Sequence, residues 1–78
     1  MKELVLFLAQ QLVNHPDAVE VKETQGETAS VLELKVARDD IGRVIGKQGR
    51  TAKSIRTILN AIASRTNRRV VLEIIEEQ

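Results

Sequence analysis

The residues best placed to do chemistry lie in one short run, Gly46-Lys47-Gln48-Gly49, with Arg43 before it and Arg50 and Lys53 after it. Glycines at the first and fourth positions permit a tight turn. They also let a sugar-phosphate chain approach without meeting a Cβ. A helix that starts directly after such a turn offers unpaired N–H groups and the positive end of its dipole, which suits a phosphate. Lys47, Arg50 and Lys53 ring the turn with positive charge, and Arg43 precedes it by one helical turn. A GxxG spacing alone fits a plain helix–helix corner equally well, so its surroundings must decide.

Those surroundings are charged in one sense. Ile41 to Leu72 holds eight basic residues and no acidic one, whereas Met1 to Asp40 holds four basic and eight acidic residues. The formal net charge of +1 conceals this segregation. An acid-free block of this length is the electrostatic footprint expected for a polyanion partner. Its bland counterpart is a solvated helix face that happens to be rich in Lys and Arg.

Other chemistries find little support. The chain has no cysteine, which excludes disulfides and thiolate metal sites. His15, the single histidine, adjoins Pro16 at a helix end and reads as structural or solvated. Asp39-Asp40 suits a helix cap better than a metal site, since no third ligand accompanies it. Gly42 to Gln48 has a glycine-rich look but fails as a nucleotide-binding P-loop. Three residues separate its glycines, and Gln48 stands where a Ser or Thr should hold Mg²⁺. Gly42 and Gly46 form GxxxG outside any apolar span. No nucleophile–base constellation occurs, so a binding module without a cofactor is expected rather than an enzyme.

With 78 residues the chain is expected to form one domain, 1–78. Its apolar supply is aliphatic, with Phe7 the one aromatic, which leaves little room for a deep small-molecule pocket. The apolar run after Met1-Lys2-Glu3 is too short to span a bilayer and lacks a small-residue cleavage site. A cytoplasmic location is expected.

The elements that must position the turn follow from hydrophobic period. Residues 2–14 read as a helix with Leu4, Val5, Leu8 and Leu12 on one stripe, ended by His15-Pro16. Leu6, Ala9 and Val13 widen its apolar arc, and Phe7 falls on the more polar side. Residues 18–24 and 29–37 alternate as strands, with a turn at 25–27 and Leu32, Leu34 and Val36 on one face. Asp39 or Asp40 is expected to cap a short helix, Asp40 to Ile45. A longer helix runs from Arg50 to Arg65, with Ala52, Ile55, Leu59 and Ile62 inward and Ile58 at the stripe's edge, half available to a partner. Thr66-Asn67 breaks it. Residues 69–76 form a last strand with branched residues on both faces, followed by a solvated acidic end at Glu76-Glu77. A helical crossover implies that 29–37 and 69–76 are parallel.

The run Ile41-Gly42-Arg43-Val44-Ile45-Gly46-Lys47-Gln48-Gly49-Arg50, in the order α-β-β-α-α-β, resembles the KH domain in its type II, prokaryotic form. It is most similar to the small bacterial single-KH proteins, over essentially the whole chain. The resemblance implies an α+β fold with a three-stranded mixed sheet and three helices on one face. It also implies a GxxG loop that clamps about four nucleotides of single-stranded nucleic acid. The implied role is a cytoplasmic RNA chaperone or post-transcriptional regulator. The implied partners are single-stranded RNA and a second copy, or a larger Jag-type KH protein (KhpB). Backbone amides near Gly46–Gly49 would then hold phosphates, assisted by Lys47, Arg50 and Lys53. Ile41, Gly42, Val44 and Ile45 would floor the groove, some of them doubling as core. Without aromatic stacking, affinity is expected to be modest and sequence preference loose. The other reading is a protein-interaction module with weak RNA affinity of its own, favoured by the missing aromatics and the surplus apolar residues on the first helix.

Overall fold

A computed structural model describes residues 1–76. Helix α1 spans Lys2–Leu12, strands β1 and β2 span Glu20–Gln25 and Ala29–Val36, and helices α2 and α3 span Ile41–Ile45 and Arg50–Ser64. Strand β3 spans Arg69–Glu76. The first helix stops at Leu12, two residues short of the expected end. A 3₁₀ turn at Pro16–Ala18 then delays the first strand to Glu20. Proline suits this place, because a helical turn can begin with a residue that lacks an N–H.

The sheet order is β1-β2-β3. β1 pairs antiparallel with β2, with Val21 opposite Leu34, and β2 pairs parallel with β3, with Leu32 opposite Leu72. The fold is α+β, a three-stranded mixed sheet with three helices on one face, as in a type II KH domain. Alternation decides what each strand buries: Leu32, Leu34 and Val36 of β2 are fully enclosed. Val5 and Ala9 from α1, Val44 from α2, and Ile55 and Leu59 from α3 complete the core.

Two inward stripes differ from expectation. On α1 the buried positions are Val5 and Ala9, while Leu4, Leu8 and Leu12 are half-buried. A small residue at the closest approach lets the helix lie near the sheet, and the leucines flank it. On α3 the stripe is Ala52, Ile55, Leu59 and Ala63, and Ile62 is 43% exposed. The step from Leu59 is four residues rather than three, so Ala63 meets the sheet and Ile62 turns outward.

α3 ends in a Schellman arrangement. The Arg68 N–H donates to the Ala63 carbonyl at 3.1 Å and the Asn67 N–H to the Ser64 carbonyl at 3.2 Å, with Asn67 left-handed at φ 57°. That reversal aims Arg68 back across the molecule, where its guanidinium donates to the Gly26 and Glu27 carbonyls and to Ser30 Oγ. The β1–β2 turn is thereby tied to the start of β3. The expected acidic end is not simply solvated. Glu76 closes β3 and pairs with Arg38 Nε at 3.3 Å, while Glu77 lies outside the described residues.

Candidate nucleic-acid interface

The turn between α2 and α3 is built from left-handed backbone. Gly46 has φ 78° and ψ 171°, Gln48 has φ 58° and ψ 26°, and Gly49 has φ 75° and ψ 10°. Gly46 is required twice over. Besides its positive φ, a Cβ there would sit 2.8 Å from the Thr51 backbone nitrogen and 2.6 Å from its Cβ. Thr51, not among the candidate site residues, thus closes the turn from the α3 side. Gln48 holds a left-handed conformation without being glycine, at a cost of about 1–2 kcal/mol. Strain of this kind gathers at binding sites.

Hydrogen bonds hold the turn rigid. The Gly46 N–H donates to the Gly42 carbonyl at 2.9 Å, and the Gly49 N–H to the Gly46 carbonyl at 3.1 Å. The Arg50 N–H donates to the Lys47 carbonyl. Gly49 is the N-cap of α3, and no side chain caps that helix. Apart from the Arg50 N–H, its first-turn N–H groups and its dipole face the turn without a side-chain cap. Lys47, Gln48, Arg50 and Lys53 are all exposed around it, and the three cations form no ion pair among the described residues.

The structure divides the expected apolar floor. Val44 is fully buried in the core and supports the surface from beneath. Ile41 is half-buried against that core, whereas Ile45 is 36% exposed, one residue before the turn. Gly42 is exposed on α2, and a Cβ built on it meets nothing within 4 Å. The protein's own packing therefore does not require glycine there.

Two further cations of the acid-free block meet polar groups of the protein itself. Arg56 crosses from α3 to β3, donating to the Leu72 carbonyl from Nε at 3.3 Å and Nη2 at 3.1 Å. Arg43 lies 3.8 Å (Nε) from Asp40 Oδ1, and with the Asn14 amide turned to present its oxygen it donates to that oxygen from Nε at 3.1 Å and Nη2 at 3.0 Å.

Asp39 and Asp40 do not cap α2 as expected, since no side-chain cap bond is present. Asp40 is instead fully buried, and its two oxygens accept the N–H groups of Asn14 and His15, each at 3.0 Å. A carboxylate placed just before a helix signals a cap only when its own helix is the nearest donor, and here the stretch just after α1 supplies the donors. His15 contributes its backbone N–H to this arrangement.

Among the described residues no cluster of acidic or histidine side chains could hold a metal, and no helix is long and apolar enough to cross a membrane. Hollows of about 320 and 220 Å³ lie on the open sheet face and beside the C-terminal end of α3, away from the glycine turn.

Known proteins resemble the chain over nearly its whole length. The chain is 56% identical over 75 residues to the RNA-binding protein KhpA of Clostridium acetobutylicum, covering 96% of this chain and 100% of that one. It is 51% identical over 78 residues to the RNA-binding protein KhpA of Chlamydia pneumoniae, covering 100% of both. Against the RNA-binding protein KhpA of Borreliella burgdorferi it is 46% identical over 74 residues, 95% of this chain and 90% of that one. The family model described as KhpA/KhpB, KH domain matches residues 2–74, and the chain belongs to that family.

Proposed function

We propose that residues 1–78 act as one KH unit that binds single-stranded RNA at the Gly46–Gly49 turn, as a binding module rather than an enzyme. The observation that carries this reading is the rigid, left-handed turn at the uncapped start of α3, with Lys47, Arg50 and Lys53 exposed beside it. Backbone amides not spent within the turn, those of Lys47 and Gln48 and of the first turn of α3 after Arg50, hold phosphates. The three cations add attraction that salt screens. Gly42 and Ile45 offer bases an apolar shelf, with Ile41 at its edge and Val44 beneath. The name RNA-binding protein, carried by relatives that match over nearly their full length, supports the same reading. The role that fits is a cytoplasmic RNA chaperone or post-transcriptional regulator.

The direct test replaces Lys47 and Gln48 together by Asp. Both side chains are exposed and bear little on the core, so the circular dichroism spectrum should be unchanged while binding to single-stranded RNA is lost. Wild-type affinity in the folded double variant would sink the assignment.

A second reading, as a protein-interaction module, is favoured by Ile58 and Ile62, which are 46% and 43% exposed on one face of α3. The partner that fits is a second copy or a larger Jag-type KH protein, KhpB, whose name the family description joins to KhpA. The two readings are compatible, because pairing two weak RNA sites raises effective concentration.

A further inference from the structure

Arg43 belongs to the basic block, yet its guanidinium is already engaged. Asp40 Oδ1 lies 3.8 Å from its Nε, and with the Asn14 amide turned to present its oxygen, that oxygen accepts from Nε and Nη2 at 3.1 and 3.0 Å. Asp40 in turn is fully buried and accepts the backbone N–H groups of Asn14 and His15. Two segments therefore meet at the carboxylate that precedes α2: the stretch just after α1, and α2 itself. Arg43 stands one turn before Gly46, whose N–H is bonded to the Gly42 carbonyl of the same short helix. The orientation of α2 sets where the glycine turn begins.

We propose that Asn14, Asp40 and Arg43 form a latch that positions α2 and the glycine turn for RNA, and that Arg43 serves binding through this latch rather than by touching a phosphate. The inference rests on the RNA site proposed above. The physical argument is compensation. A guanidinium 3.8 Å from a buried carboxylate has part of its charge compensated locally, and its Nε and Nη2 fork meets the turned Asn14 oxygen. α2 is five residues long, too short to hold its own direction, so it needs an external tie. Asn14 and Asp40 are positioning residues in this account.

The experiment measures binding of a short fluorescein-labelled single-stranded RNA of mixed sequence over a potassium chloride series. It compares wild type, Lys47→Ala, Asn14→Ala, Arg43→Gln and Arg43→Lys. Circular dichroism confirms folding at the assay temperature. Asn14 is exposed and uncharged, so Asn14→Ala remains informative even where an Arg43 variant is unstable. The latch predicts that Asn14→Ala, Arg43→Gln and Arg43→Lys each weaken binding at least about five-fold. It also predicts that each leaves the slope of log affinity against log salt at the wild-type value. A fall in that slope of about 0.7 in Arg43→Gln, restored by Arg43→Lys, would make Arg43 a phosphate contact and overturn the proposal. Unchanged affinity in folded Asn14→Ala would reduce the network to a structural brace and overturn it equally. A Lys47→Ala slope equal to wild type is a separate failure. It would move the RNA site itself, and the latch would fall with it.

Discussion

Gly42 shows how a single residue can point to a ligand. Glycine inside a helix is less stable than alanine by roughly 0.5–1 kcal/mol, and the usual reason to keep one is a close neighbour or a positive φ. Gly42 has neither, since open space surrounds the position of its missing Cβ. Gly42→Ala is therefore expected to raise stability by about 0.5–1 kcal/mol in denaturant titration. In the proposed site the same methyl group would stand where a base or sugar approaches, so RNA affinity is expected to fall. Higher stability with unchanged affinity would remove Gly42 from the site. Gly46 behaves in the opposite way: its Cβ would collide with Thr51, so its substitution harms fold and site together.

Under the proposed function helix α3 carries three roles, at its start and on two faces. Its start, at Gly49 and Arg50, borders the glycine turn. Its buried stripe holds the sheet through Ile55 and Leu59, while Ile58 and Ile62 face outward. Adjacent substitutions should separate these roles. Leu59→Ala removes a fully buried side chain and is expected to destabilise the fold by about 2–5 kcal/mol, read in a denaturant melt. Ile58→Asp places a charge at a half-exposed position, so the chain should stay folded and become monomeric in sedimentation. An unfolded Ile58→Asp would return that residue to the monomer core. A wild type already monomeric at high micromolar concentration would defeat self-association and leave the heterodimer as the form of pairing.

Across the whole molecule, the charge segregation and the single rigid turn favour one backbone over two. A duplex reader needs contacts across successive grooves, whereas this turn and its three exposed cations can follow one strand. Single-stranded RNA is expected to bind more tightly than a blunt duplex of equal length, in competition titrations at fixed salt. Three phosphate contacts would give a salt slope of about −2 for a single strand. Equal or tighter duplex binding would contradict the expectation, and a slope near zero would contradict phosphate contact altogether.

Most of the architecture was legible in the sequence, because period and turn chemistry are local properties. The alternation of Leu32, Leu34 and Val36, the helical stripe through Ala52, Ile55 and Leu59, and the break at Asn67 each act through near neighbours along the chain. The GxxG turn was legible for the same reason, since its geometry depends on residues that follow one another. What the tertiary structure alone decided is the allocation of side chains among distant partners. Sequence placed eight cations in one acid-free block. The fold directs Arg56 to the Leu72 carbonyl, Arg68 to the β1–β2 turn and Arg43 towards Asn14 and Asp40, leaving Lys47, Arg50 and Lys53 exposed at the turn and Arg65 and Arg69 exposed beyond it. Asp40 looked like a cap for the helix it precedes, but its donors come from a segment some 25 residues earlier in the chain. Hydrogen bonds and ion pairs of that reach depend on how elements pack, and no local pattern encodes them.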